Sequence, residues 1–367
     1  MSVNNKVANP SNFAICQARR RRTGELIPGE VHLEITHRCN LMCFHCYLEY
    51  YNNGTQLTEL SASEWARVMK QLFEAGVFHV TFSGGEPLCR PDIFQIMNHA
   101  REIGLFYGLK TNGVLITESV ADRLKELSLN GVDVSLYGAR PTTHEYVTRV
   151  EGSYARTIHA IKLLRERKIK VRVKTSMMKC NAGEHREIEN IAQQLDAEFS
   201  PDPIIFPKVG EPGSADYIRM DDEQLRTLIS ERDWIPDDTD DMMSDLKRHL
   251  ICGAGRTRCA ISPQGEVFPC TLWRIPLGDL RQQTFKDIWH GETVRGIRAI
   301  EVSDMPDCVN CELVNYCARC PGLVYIENSG ISGPSSENCR LARAIKGVID
   351  DREKENLCKP HNRVRTG

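Results

Sequence analysis

Cysteine is the residue type whose placement carries the most chemistry in this sequence. Of its 15 cysteines, Cys39, Cys43 and Cys46 stand together, eight fall between Cys252 and Cys339, and only Cys16, Cys89, Cys180 and Cys358 stand apart. Packing alone would scatter them. In a chain kept reduced by cytoplasmic thiol buffers, clustered cysteines serve metal ligation or catalysis rather than disulfides. The first group, Cys39-x3-Cys43-x2-Cys46, offers three thiolates. A structural zinc site closes with four ligands, whereas a four-iron cluster held by three cysteines keeps one iron open. A zinc site completed by His37 or His45 is the alternative at this point.

Other short signals stand where strands are expected to end. Ser83-Gly84-Gly85-Glu86-Pro87 contains adjacent glycines, which let backbone approach a ligand that a side chain would exclude. Thr111-Asn112-Gly113, Ser135-Leu136-Tyr137-Gly138 and Lys174-Thr175-Ser176 follow, each also compatible with ordinary turns. The second cysteine group runs Cys252, Cys259, Gly265-x4-Cys270, Cys308-x2-Cys311-x5-Cys317-x2-Cys320 and Cys339. Eight thiolates make two tetrads, and Cys-x2-Cys pairs alone fit zinc ribbons as well as iron-sulfur clusters. Cys89, three residues after Glu86, reads as filling an apolar position, with hydrogen-atom donation or crosslinking as the chemical alternative. Cys16, Cys180 and Cys358 have no partner spacing.

The elements that must position these residues alternate between short apolar runs and amphipathic stretches, the pattern of βα units on a parallel sheet. Strands are expected at Val31–Thr36, His79–Ser83, Tyr107–Thr111, Val132–Tyr137, Lys170–Ser176 and Pro203–Phe206. Helices are expected at Ala62–Ala75, Pro91–Ile103, Glu118–Leu127, with Thr117 as N-cap, Tyr154–Arg167 and Glu184–Leu195. The fold class is therefore α/β, a partial (β/α)6 TIM-type barrel followed by a small cysteine-rich iron-sulfur domain. The divisions are a leader over 1–29, the barrel over 30–206, a Pro-, Gly- and Asp-rich linker over 207–251, the cysteine-rich domain over 252–345, with a strand at Val267–Phe268, and a tail over 346–367.

Bulk properties exclude some functions. With 47 basic and 49 acidic residues the net charge is -2, which gives no footprint for a nucleic-acid partner. The apolar stretch Phe13-Ala14-Ile15-Cys16 before Arg19–Arg22 is too short for a signal peptide or membrane span, so a cytoplasmic location is expected. The arginine run reads as a solvated leader.

Taken together, the Cys39 triad after a first strand, Gly84-Gly85-Glu86-Pro87 after the second and the C-terminal array resemble the radical S-adenosylmethionine superfamily with a SPASM extension. The resemblance covers Glu30 to about Arg343. It implies a catalytic [4Fe-4S] cluster on Cys39, Cys43 and Cys46, with S-adenosylmethionine on its open iron, and two auxiliary [4Fe-4S] clusters. It assigns Cys252, Cys259, Cys270 and Cys320 to one of these, and Cys308, Cys311, Cys317 and Cys339 to the other. One spacing departs from the family: only Ala318 and Arg319 separate Cys317 from Cys320, where three residues are usual. By the same resemblance Gly84, Gly85 and Glu86 hold the methionine ammonium group, Asn112 and Ser135 contact the cosubstrate, and His45 takes the place of an aromatic beside the adenine.

The resemblance implies a redox enzyme that generates a 5'-deoxyadenosyl radical to abstract a substrate hydrogen. The Ser-Leu-Tyr-Gly form is similar to peptide-modifying maturases, which points to crosslinking or oxidation of a ribosomally made peptide. Thr271 stands where sulfatase-maturing relatives carry an acid after the cysteine, which argues against simple serine or cysteine oxidation. Expected partners are the substrate, an external electron donor of flavodoxin or ferredoxin type, and a separate leader-peptide recognition protein, because the residues before the first strand are too few for a leader-binding domain. A small-molecule role, such as tetrapyrrole side-chain decarboxylation or sugar-alcohol dehydrogenation, is the alternative enzyme; a zinc-bearing non-catalytic module is the alternative of another class.

Overall fold

The computed structural model describes residues 26–48, 58–231 and 252–357. The chain divides into two compact units, residues 1–219 with 253–300, and residues 220–252 with 301–367.

The first unit is built on strands β1 (Glu30–Thr36), β2 (His79–Gly84), β3 (Phe106–Thr111), β4 (Gly131–Ser135), β5 (Val171–Ser176) and β6 (Glu198–Asp202). They are parallel, and each pairs with the next in sequence order. Helices α1 (Ala62–Glu74), α2 (Ile93–Glu102), α3 (Glu118–Leu127), α4 (Pro141–Thr148), α5 (Ser153–Glu166) and α6 (His185–Gln194) fill the crossovers. Alternation explains the layers. On β1, Val31, Leu33 and Ile35 are fully buried, while Glu30, His32, Glu34 and Thr36 take the opposite, inner face. Helix α1 answers with buried Trp65, Val68, Met69 and Leu72, and starts at a capping box in which Ser61 and Glu64 each accept from the other's backbone N–H. Thr117 caps α3 by accepting from the Val120 N–H.

Two elements differ from the sequence expectation. The sixth strand is Glu198–Asp202 rather than Pro203–Phe206. It is the sheet edge, where a strand needs no apolar run and tolerates Pro201; the Asp202 carboxylate accepts from the Ile204 N–H at 3.0 Å and turns the chain away. The apolar residues Ile204, Ile205 and Phe206 line a cavity instead. Helix α4 was not expected, although Pro141 at its first turn is a start signal.

The segment that the sequence sets apart at 252–345 is divided between the two units. Its first part adds β7 (Arg258–Ile261), β8 (Glu266–Phe268) and β9 (Gly278–Asp279) to the sheet, giving the order β6-β5-β4-β3-β2-β1-β7-β8-β9. Strand β7 is parallel to β1 and antiparallel to β8. Short helices α7 (Phe285–Trp289) and α8 (Glu292–Ala299) follow. The second unit holds α9 (Asp222–Ser230), α10 (Pro306–Val309), α11 (Pro321–Asn328) and α12 (Ser336–Leu357), so residues 346–357 of the expected tail are helical. Arg340 ties α12 to the start of α9 through Glu337, Asp222 and the Met220 carbonyl. The leader up to residue 25 and residues 232–251 of the linker, with Cys16 and Cys358, lie outside the described residues. No helix among the described residues is long and apolar enough to cross a membrane.

Candidate active site

The loop carrying Cys39, Cys43 and Cys46 is fixed by backbone before any metal is considered. Gly85 N–H donates to the Thr36 carbonyl and Glu86 N–H to the Arg38 carbonyl, both at 2.8 Å. These bonds need two glycines. A Cβ on Gly84, whose φ is +122°, would lie 2.3 Å from the Thr36 oxygen, and one on Gly85 would lie 2.4 Å from the Arg38 oxygen. The glycine pair thus lets the end of β2 lie against the start of the cysteine loop, while both glycines also line the cavity. On the other side, Met42 and Phe44 N–H groups donate to the Thr148 and Val147 carbonyls at the end of α4. Buried Arg90 braces the loop root by donating to the Ile35 and Leu60 carbonyls at 3.0 and 2.6 Å.

Asn112 joins the loop to β3. Its N–H donates to Glu86 Oε2 at 2.7 Å, and its side-chain amide donates to Asn40 Oδ1 at 2.8 Å and reaches Cys39 Sγ at 3.9 Å. Glu86 is fully buried just behind the cavity wall. It accepts from Thr111 Oγ1, the Asn112 N–H and the Leu88 N–H, yet burial raises its pKa to about 7. A carboxylate with three donors that still holds its proton so tightly lacks a countercharge, which an ammonium group would supply.

The three thiols are half-buried and all line one cavity of about 1140 Å³. Burial pushes the Cys39 and Cys43 thiols up, and for Cys43 the neighbouring Cys46 and Cys39 push further in the same direction. A bound cationic metal would offset that cost for Cys39 and Cys43. Among the described residues no three of His, Cys, Asp and Glu gather closely enough to hold a single ion. The histidines of the zinc alternative are placed otherwise. His37 Nε2 lies 3.5 Å from Glu34 Oε2. His45 is half-buried, its buried Nδ1 lacks a hydrogen-bond partner, it packs edge-on to Tyr137 at 4.6 Å, and desolvation holds it neutral, with a pKa of about 4. Three thiols on the wall of one cavity are a donor set that fits an iron-sulfur cluster. Ser135 lines the same cavity and pairs with the Tyr137 hydroxyl.

Several residues of the site carried no sequence signal. Asn40, inside the cysteine motif, is the partner of Asn112. Glu34 and Arg274 form a buried ion pair at 2.5 Å across 240 positions of sequence. Beside it the half-buried Tyr47 phenol is raised by desolvation, with Glu34, Cys46 and Cys270 adding to the shift and Arg274 opposing it. Cys89 stays outside the cavity lining, 3.9 Å from Asn40 Oδ1, with its thiol pushed up to about 11 by burial and by Glu86 and Cys39.

The remaining cysteines fall by unit. In the first, Cys259 is fully buried on β7, where burial pushes its thiol up against the opposing effect of Arg298, and Cys270 follows β8, accepting from the Trp273 N–H at 3.2 Å. In the second, burial raises both the Cys317 and Cys320 thiols, with Cys339, Cys308 and Cys311 adding to the shift of Cys317 and Cys252 to that of Cys320. The two-residue spacer thus turns Cys317 and Cys320 to different neighbours, with Arg319 easing both thiols.

Residues 33–195 match the family model described as the radical SAM superfamily, and residues 252–321 match one described as an iron-sulfur cluster-binding domain. The chain is 30% identical over 354 residues to PqqA peptide cyclase from Rhodopseudomonas palustris, covering 90% of this chain and 91% of that protein. It is 27% identical to AdoMet-dependent heme synthase from Methanosarcina barkeri, over 81% of this chain and 92% of that one. Streptococcus suis SuiB bound to S-adenosylmethionine shares the fold with a TM-score of 0.68 at 19% identity, covering 90% of this chain and 82% of that one.

Proposed function

Because the chain belongs to the radical SAM superfamily and carries a SPASM iron-sulfur domain, we propose that it oxidatively modifies a ribosomally made peptide, by crosslinking or oxidation, inside the barrel cavity. The observation that carries this is the cysteine triad at the wall of a cavity whose volume exceeds the usual small-molecule range, leaving room for a peptide segment beside the cosubstrate. The 30% identity to a peptide cyclase over nearly its whole length supports the substrate class.

Cys39, Cys43 and Cys46 would hold the catalytic [4Fe-4S] cluster, and Gly84, Gly85, Glu86, Asn112, Ser135 and His45 the S-adenosylmethionine. When bound and reduced, these groups supply a 5'-deoxyadenosyl radical that takes a hydrogen atom from the substrate. The protein's own work is positional. Glu86 offers a buried carboxylate for an ammonium group, its orientation fixed by three donors. Neutral His45 offers a ring face without competing charge. Asn112, tied to both Glu86 and Asn40, fixes the loop relative to the cavity wall. The eight remaining clustered cysteines would bind two auxiliary clusters, one of them on Cys308, Cys311, Cys317 and Cys339 of the second unit. These would accept or relay the electron released by the substrate, while an external electron donor of flavodoxin or ferredoxin type in the cytoplasm would reduce the catalytic cluster.

A second reading, a tetrapyrrole-modifying enzyme, is favoured by the similarity to a heme synthase over most of both chains. The test is anaerobic reconstitution with iron and sulfide, followed by metal analysis and 5'-deoxyadenosine assay. About twelve irons per chain, falling to about eight in the Cys39/Cys43/Cys46→Ala variant, with deoxyadenosine lost, is the expected result. Two or three zinc ions without iron would return the chain to the binding modules.

A further inference from the structure

The inner face of the barrel carries charges that neither the cosubstrate nor the cysteines require. Most are matched. Arg172 of β5 grips Asp133 of β4 through two bonds of 2.9 and 3.0 Å. Glu30 of β1 has Arg258 at 3.6 Å and His32 at 3.3 Å, and Lys174 Nζ donates to Ser200 at 2.9 Å.

Lys110 of β3 is the exception: among the described residues it has neither an ion pair nor a hydrogen bond for its ammonium group. It lines the cavity together with His32, Ser135 and Asp202. Asp133 and Glu30 attract it from a distance, but each already has an arginine. The Asp202 carboxyl accepts from the Ile204 N–H and is itself raised by burial, so it is a weak counterion. Burial also disfavours the charged form of Lys110. An ammonium group facing a deep cavity in this condition is costly unless a ligand brings the anion. Lys110 lies on β3 two residues before Asn112, which directly follows the strand's last residue, Thr111, so its Cα sits about 7 Å further back along the chain direction than the residue that reaches Cys39.

We propose that Lys110 receives a carboxylate of the substrate at the cavity floor and so sets how deep the substrate sits beneath the cysteine triad. This rests on the reading of the cavity as the substrate chamber. The carboxylate is that of an acidic side chain in a peptide or of a tetrapyrrole propionate, and Lys110 would recognise both by the same charge-assisted bond.

The test uses reconstituted, unreduced holoenzyme saturated with S-adenosylmethionine, as wild type, Lys110→Met and Lys110→Arg. Binding is followed by ligand-observed NMR for N-acetylglutamate amide against N-acetylglutamine amide, and for coproporphyrin III against its tetramethyl ester. One acid is expected to bind about tenfold tighter than its neutral partner, with the preference kept in Lys110→Arg and falling below about twofold in Lys110→Met. Which pair shows the effect identifies the source of the carboxylate. A preference that survives in Lys110→Met, or that neither pair shows in the wild type, overturns the assignment. So does a parallel loss of S-adenosylmethionine affinity in Lys110→Met, which would give this lysine to the cosubstrate. If the wild type shows the preference but forms no 5'-deoxyadenosine on reduction, the carboxylate site stands and the radical reading falls.

Discussion

The Cys39 loop and the Cys308–Cys339 region use the same side chain in opposite settings. The loop hangs from a parallel sheet and is held by backbone bonds to Gly85, Glu86, Val147 and Thr148, so protein geometry presents its thiols. The second region opens with short helical turns, and between residues 301 and 320 only Met305 and Leu313 are buried apolar side chains among those described. A segment with so little core depends on bound metal for its fold. On the proposed reading, the fold would build the metal site in one place, and in the other the metal would complete the fold.

The most severe break of this contrast removes the loop's thiols. Cys39/Cys43/Cys46→Ala should lower 5'-deoxyadenosine formation by at least about a thousandfold, while the far-ultraviolet circular dichroism of the barrel stays unchanged, since the sheet does not lean on the thiols. A collapsed spectrum would show that the loop resembles the second region after all.

Iron chelation under reducing conditions should do the reverse. Trypsin cleavage at Arg319, which is 9% exposed and donates to the Ile331 and Gly333 carbonyls, should quicken by about a hundredfold, with the barrel fragment surviving. Equal resistance of both regions would erase the distinction.

A narrower probe is Gly85→Ala. The methyl group meets the His37 and Arg38 carbonyls at 2.7 and 2.4 Å, so the loop must shift. A stability loss of about 1–3 kcal/mol in denaturant unfolding, together with fewer irons in the catalytic site, is expected; unaltered iron content would mean that the loop tolerates displacement.

The smallest effect concerns Glu86. Its pKa rises from 4.5 to about 7 on folding, so its proton stabilises the metal-free fold fully below about pH 4.5, and that contribution is lost as pH rises through about 7. Glu86→Gln should therefore flatten part of the fall in melting temperature between those values, and wild type and variant with parallel pH profiles would refute it.

Legibility of the sequence followed the range of the interaction. Strands β1 to β5 announce themselves because burial on one face writes a period of two into neighbouring residues, whereas edge strand β6 lacks that pressure and its apolar successors serve the cavity. The cysteines were readable because ligand spacing is local. The partners that orient them were not: Asn40 finds Asn112 across 72 positions and Glu34 finds Arg274 across 240, distances at which no pattern in the chain reveals a pair. Lys110 looked like one more polar strand residue until its neighbours proved to be matched with each other.

The pairing of β7 with β1 has a consequence for electron tunnelling, whose rate decays exponentially with distance. Glu30 stands opposite Arg258, Val31 opposite Cys259 and Leu33 opposite Ile261, so the strand that leads into the Cys39 loop and the one that carries Cys259 are locked rung by rung. A slip of one rung would move one metal-binding segment about 3.3 Å along the other. The sheet is in this sense a ruler, and its hydrogen bonds set the span of any electron hop between those segments to within the width of a single residue.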